Sequence, residues 1–533
     1  MRASDQAKPA YYTIQQAVAV PPQTRVSDAA FPAHFVAIDT GSEKLTMRWL
    51  AALFVLAALA HADETCLSVD EEPYFLFGTK TAYIFANRGL SNNNRAHEIP
   101  GCEPIAFWLL SRPGSTLPEP GEMDALRNLA DLKQNIADNY RNQNFRNTNR
   151  RICTSDLNLL EQWSWNPRHN VTFAGDLTSD GYINTQGLAQ AWKQKYPGLL
   201  NDNRYNYLFK YVNDKLSSTT FKAFTEGLFR TQADGLDLPK ENDEKLLRPY
   251  QFCDSWKKNV ENNKETLAQR EIFESKLEYK QMVTNISQRL GFNYDVEPTT
   301  IRNMYQMCRY NKAWEVAQVS PWCSVFTRED LRRLEYAEDL ETYYKYGPGT
   351  DLNKKVGCAH IKDMIDFFKN HTQNEMPLQP RTVIQFVELA SILLTVNAMG
   401  ARNDAAPLTG DNYHTAAVQA RKWTNSIMTP YNANLAAVLY KCTLNGNFGI
   451  NDRYQVLFLE NEKPISLDGC RVGLCNWSHV TKTLGAIADA CDLQSCNHAT
   501  TLNNYFAISL SITEQKADEA PGIGTSKVRL ASN

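Results

Sequence analysis

"IAFWLLSRPGSTLP", residues 105–118, is the stretch from which the fold class is read. The apolar run Ile105 to Leu110 reads as a buried strand, and Ser111-Arg112-Pro113-Gly114 turns the chain sharply at its end. In an α/β fold the end of such a strand is a favoured place for chemistry, which makes this turn the first candidate site.

Working outward, strand-like runs recur at Thr382–Phe386, followed by a helix, and at Leu435–Tyr440 and Tyr454–Glu460. The last two are joined by "TLNGNFGIND", rich in the Asn and Gly that turns require. From about 233 to 375 the chain is charged and reads as helices; Tyr279, Met282, Val283, Ile286 and Leu290 recur there at three- and four-residue steps. With 533 residues, 43% of them hydrophobic, the chain can build a large core. The economical architecture is an α/β core in two parts, 63–232 and 376–510, with a mostly helical insertion at 233–375 and a polar, disordered tail at 511–533. A net charge of −3, with no Lys/Arg block and no stacking-aromatic motif, excludes a nucleic-acid binder.

The N-terminal region carries an address. Met47-Arg48-Trp49 leads into "LAALFVLAALA" and then Ala60-His61-Ala62, the positive start, short apolar stretch and small-x-small end of a secretory signal peptide at 47–62. Residues 1–46 then lie upstream of the natural start. All 12 cysteines follow the leader, an even count suited to disulfides in an oxidising compartment, and spacings such as Cys470-x4-Cys475 lack the knuckles of a zinc site. Sequons at Asn170, Asn285, Asn370 and Asn476 fit glycosylation on the same route. The polar C-terminus carries neither an ER-retention signal nor a lipid-anchor tail, so the expectation is a secreted glycoprotein without a stable membrane anchor.

The common catalytic patterns are absent: no G-x-S-x-G, no H-E-x-x-H, no Walker phosphate loop and no G-x-G-x-x-G. The segment from Asp176 to Gly187 begins like a calcium loop but ends on Gly187 where a bidentate Glu is needed, so it reads as a turn before a helix. Neither a metal nor a cofactor is expected.

The turn at 111–118 resembles the Arg-His-Gly-Thr-Arg-x-Pro signature of the histidine acid phosphatases, branch 2 of the histidine phosphatase superfamily. The chain is most similar to the multiple inositol polyphosphate phosphatases within it, from about Cys66 to about residue 510. Supporting stretches are "FGTKTAY" (77–83), "FKAFTEGLF" (221–229), "LEYAEDLETYYKYGPGTDLNKKVGC" (334–358) and "LFLENEKPISLDGCRVGLCNWS" (457–478). The resemblance implies a histidine-phosphatase-like α/β core with a helical cap, and disulfides Cys102–Cys442 and Cys470–Cys475.

What it implies about chemistry is different. In the family a His at the strand end attacks phosphorus, Arg side chains neutralise the phosphoryl oxygens and a carboxylic acid protonates the leaving oxygen. Arg112 and Gly114 keep their places, with Lys80 as a further candidate for holding phosphate, but Pro113 stands at the nucleophile and Thr116 at the second Arg. The family's F-x-His-Ala-Glu falls on Phe386-Val387-Glu388-Leu389-Ala390, which puts Glu388 at the phosphate-contacting His and Ala390 at the proton donor. A further Arg falls on Leu216. Loss of a covalent nucleophile costs on the order of 10⁶ in rate in a comparable triad. Glu388 also puts an anion where phosphate should sit, and two like charges ~4 Å apart cost roughly 4 kcal/mol at an effective dielectric of about 20. The expectation is a pseudophosphatase whose cleft serves a small-molecule or protein ligand. An enzyme acting on inositol polyphosphates or 2,3-bisphosphoglycerate, with Arg112, Lys80 and Lys210 holding phosphate, stays open beside it.

Overall fold

The computed structural model describes residues 66–67, 72–87, 97–142, 151–230, 233, 237–374, 379–443, 452–494 and 496. The leader at 47–62, the segment before it, the Asn/Gly-rich turn at 444–451 and the tail at 511–533 lie outside these residues.

One sheet organises the described chain. Its order is β3 (Lys240–Glu241), β2 (Tyr207–Lys210), β4 (Thr382–Phe386), β1 (Cys102–Ser111), β5 (Asn434–Cys442), β6 (Tyr454–Glu460) and β7 (Lys463–Pro464), with β8 (Leu474–Asn476) also on β6. The half from β3 to β1 is parallel and the half from β1 to β7 antiparallel. β1 is therefore the seam, parallel to β4 on one side and antiparallel to β5 on the other. Its register with β5 shifts between Pro104 and Ala106, where proline has no N–H to give the ladder.

The apolar run of β1 is continuous because both faces are covered. Phe107 and Leu109 pack with Leu188 and Trp192 of α1 (Ser179–Lys195) and with Phe224 and Leu228 of α2 (Lys215–Phe229). Ala106, Trp108 and Leu110 share the opposite core with the large helical region, including Ile361 and Met364 of α6 (Cys358–Gln373). That region also contains α3 (Leu277–Arg289), α4 (Pro298–Trp314) and α5 (Arg328–Lys345). The stripe read from sequence lies inward: Tyr279, Met282, Val283 and Ile286 of α3 are buried, as is Leu290 just beyond it. A capping box, Thr327 with Asp330, starts α5.

All twelve cysteines are paired, as Cys66–Cys153, Cys102–Cys442, Cys253–Cys496, Cys308–Cys323, Cys358–Cys491 and Cys470–Cys475. Cys102 and Cys442 sit directly opposite each other on β1 and β5. Among the described residues no helix is long and apolar enough to cross a membrane. Of the sequons, Asn370 and Asn476 are exposed, while Asn170 and Asn285 are half-buried.

Candidate functional site

Three neighbouring parallel strands end at one edge of the sheet. Ser111 of β1 is level with Phe386 of β4, and Gln385 of β4 with Lys210 of β2. The turn after β1 carries Arg112, Pro113, Gly114 and Thr116; the chain after β2 enters α2 with Leu216 in its first turn; the chain after β4 carries Glu388 and then Ala390 in α7 (Leu389–Ala398). Residues up to 278 positions apart in sequence thus stand at one edge of the sheet, where α/β sheets place ligands.

The turn after β1 is held from several sides. Arg112 donates its backbone N–H to the Ala433 carbonyl at 2.8 Å, Asn432 donates to the Pro113 carbonyl at 3.0 Å, and Thr178 donates to the Ser115 carbonyl at 2.8 Å. A Cβ at Gly114 would lie 2.3 Å from the Gly181 carbonyl oxygen in the first turn of α1, so only glycine allows this approach. The Thr116 carbonyl accepts from the Trp314 indole at 2.9 Å, and its side chain pairs with the Tyr431 hydroxyl.

Arg112 is anchored by backbone. Its Nη1 donates to the carbonyls of Thr79 at 2.7 Å, Thr429 at 2.6 Å and Pro430 at 3.2 Å, and its guanidinium stacks 4.8 Å over the Tyr431 ring. Lys80 lies 4.9 Å over the Tyr310 ring and 3.9 Å from Glu122. Burial first, then the Arg309 charge, pulls the Lys80 ammonium down to about 8, with Glu122 opposing. Arg309 itself is paired with Glu338 at 2.8 Å, whose carboxylate also accepts from the Thr79 backbone and hydroxyl.

The distal side corrects an assumption about charge. Glu388 does not stand alone: Arg248 donates through Nε to it at 2.8 Å, and the Tyr250 hydroxyl also donates to its carboxylate. Arg248 in turn holds Asp214, the N-cap of α2, at 2.6 Å. Repulsion of phosphate by an isolated carboxylate therefore overstates the effect, because the anion already has a cation and a phenol. Sequence reading missed Arg248, Tyr250 and Asp214. Arg248 lies 140 residues from its partner, and no local pattern announces such a contact.

Lys210, the third cation of the hydrolase reading, is engaged within the protein. It is buried and donates to Asp363 at 2.7 Å; Asp363 additionally accepts from the Trp108 indole at 2.8 Å and the Gln385 amide at 2.6 Å. His360 joins this cluster through Gln385 at 3.2 Å, and burial lowers its imidazole to about 4, so it is neutral at pH 7. In the segment read as a failed calcium loop, Thr178 caps α1 by accepting from Gly181 N–H, and Asp176 accepts from Lys215.

A family model described as histidine phosphatase superfamily (branch 2) matches residues 118–458, well over half of the chain. The chain belongs to this family. It is 34% identical to multiple inositol polyphosphate phosphatase 1 of Drosophila melanogaster over 83% of its own length and 92% of the relative's. With the human protein of that name it shares 27% over 74% of its length and 82% of the relative's. Among solved structures it is similar to the phytase from D. castellii, with a TM-score of 0.62 at 17% identity, covering 80% of this chain and 88% of that one. It is also similar to the Bifidobacterium longum multiple inositol polyphosphate phosphatase in complex with inositol hexasulfate, with a TM-score of 0.54 at 12% identity over 77% of this chain and 97% of that one. At such identities these two structures speak for the fold, a histidine-acid-phosphatase α/β architecture.

Proposed function

We propose that this member of the histidine phosphatase superfamily is a secreted pseudophosphatase, whose cleft at the ends of β1, β2 and β4 binds a small molecule or a protein without transferring phosphoryl groups. One feature carries the reading: by the motif resemblance the positions of nucleophile and proton donor fall on Pro113 and Ala390, neither of which has a side-chain group able to attack phosphorus or give a proton. By the same resemblance Thr116 and Glu388 stand at the second clamp and the second histidine, and each has a partner within the chain. Six disulfides, together with the leader and the sequons, support an oxidising secretory compartment. In this reading 63–232 and 376–510 form the core and 233–375 the cap.

A second reading, an active phosphomonoester hydrolase on inositol polyphosphates, draws on the half-buried cations Arg112 and Lys80 and on the names of the curated relatives. Rebuilding the site separates the two. The Pro113→His variant alone should release no more phosphate from inositol hexakisphosphate than the unmodified protein. Pro113→His combined with Thr116→Arg, Leu216→Arg, Glu388→His and Ala390→Glu should gain activity, because such groups act as a unit. Unmodified protein that already matches the rebuilt variant would favour the hydrolase.

A further inference from the structure

Beside the cleft, between the segment after Gln162 and the end of α4, lies a pocket of about 260 Å³ whose walls include Trp163, Trp165, His169, Asn311, Trp314 and Glu315. None of Arg112, Pro113, Thr116 and Glu388 lines it. Three of its rings stand nearly perpendicular to one another: Trp165 and His169 at 86° and 6.1 Å, Trp165 and Trp314 at 85° and 6.4 Å, His169 and Trp314 at 72° and 4.6 Å. Both indole N–H groups are engaged within the protein, Trp165 on the His169 carbonyl at 2.8 Å and Trp314 on the Thr116 carbonyl at 2.9 Å. What these two side chains can still offer is apolar ring surface.

Beside the neutral Ser164, Asn166 and Gln318, the unpartnered polar group and the charged one are acceptors. Asn311 Oδ1 is buried with no hydrogen-bond partner, and Glu315 brings a carboxylate at an exposed position. An orphaned buried acceptor is unfavourable until a donor reaches it. No Lys or Arg is among the lining residues, and burial holds the His169 imidazole below its ordinary value, against the pull of Glu315. The site therefore disfavours an anion such as phosphate. A quaternary ammonium would suit the rings but has no N–H or O–H for Asn311. A sugar ring offers both a C–H face for stacking and hydroxyl donors on its edge, and the volume is small beside pockets of ~300 Å³ and more that hold drug-sized ligands.

We propose that this pocket is a saccharide site that takes one uncharged, pyranose-sized unit. Two sources share that chemistry: a glycan carried on Asn170, which directly follows His169, or a free sugar. Asn170 begins the sequon Asn170-Val171-Thr172, and its Oδ1 accepts from the Thr172 N–H at 3.0 Å, which fixes the amide next to the ring wall.

The test uses full-length protein secreted from eukaryotic cells and its Asn170→Gln variant, titrated with N-acetylglucosamine, mannose and tetramethylammonium by calorimetry and tryptophan fluorescence. At least one of the sugars should bind the Asn170→Gln protein saturably. Adding Trp165→Ala or, as a milder change, Asn311→Leu should weaken that binding at least tenfold while the melting transition shows the variants folded. Binding at least tenfold weaker to the intact glycoprotein would identify its own glycan as the occupant; equal binding would identify a free sugar. Three results would overturn the proposal: no saturable binding of either sugar, sugar binding indifferent to both pocket variants, or tetramethylammonium binding in place of sugar.

Discussion

Arg248 places its guanidinium Nε 2.8 Å from the Glu388 carboxylate and its Nη2 2.6 Å from Asp214, so one cation ties the chain after β2 to the chain after β4. In the family resemblance these two segments supply an Arg, a His and an acid to the phosphoryl group. Here they are cross-linked to each other instead. With Arg248 21% and Glu388 46% exposed, the pair is worth little in isolation, and what it does is neutralise the Glu388 carboxylate. A double-mutant cycle with Arg248→Met and Glu388→Gln should give a coupling of up to about 1 kcal/mol in thermal or denaturant unfolding. A coupling of the opposite sign would mean that the two side chains do not attract each other in solution.

The contact between the signature turn and α1 makes a sharper prediction about glycine. Gly114→Ala must push backbone against backbone at Gly181, and should destabilise by about 1–3 kcal/mol or more. Gly187 lies in the same helix with nothing within 4 Å of a prospective Cβ, so Gly187→Ala should stabilise by about 0.5–1 kcal/mol. Calorimetric melting of the two variants checks both signs at once.

Cys102–Cys442 closes a separation of 340 residues between the strands that carry the seam of the sheet. The paired Cys102→Ala, Cys442→Ala variant should lose about 2–5 kcal/mol and secrete poorly. A variant that melts with the parent would show that the antiparallel pairing of β1 and β5 suffices without the bond.

The fold was legible where burial is on both faces. The run Ile105–Leu110 is apolar throughout because helices cover both sides of β1, and the strands at 382–386, 434–442 and 454–460 carry the same mark. β2 went unread because it is only Tyr207–Lys210 and its last residue is a lysine. That lysine is buried only because Asp363, 153 residues away, receives it. The site was legible through the turn after β1 and the motif after β4, whose residues are adjacent in sequence. Arg248 and Tyr250 were not, because their meaning arises only when the chain after β3 folds back onto Glu388.

Buried acids in the helical region predict a pH profile. Glu335 and Asp339 share Arg421, which lies 2.7 Å from Asp339 and 3.9 Å from Glu335, and Glu335 Oε1 has no partner. Burial first, then the Asp339 charge, pushes Glu335 up to about 8, with Arg421 opposing; burial raises Asp339 as well. A raised carboxyl binds more protons folded than unfolded, so its contribution is fully present below the unfolded value of about 4.3 and is lost as pH rises towards the folded one. Glu335→Gln should therefore melt higher than the parent at neutral pH and nearly alike at about pH 4, near the unfolded carboxyl range. Parallel profiles for the two proteins would contradict the assignment.

The central claim is that a family fold has kept its cleft and lost its phosphoryl chemistry. The most direct measurement is phosphate release from inositol hexakisphosphate by the purified, unmodified protein, run beside an Arg112→Ala variant to expose contaminating phosphatase. The account predicts release at the rate of the buffer blank by both proteins. Turnover by the unmodified protein that disappears with Arg112→Ala would contradict it and establish a hydrolase that works without Pro113 or Ala390 being replaced.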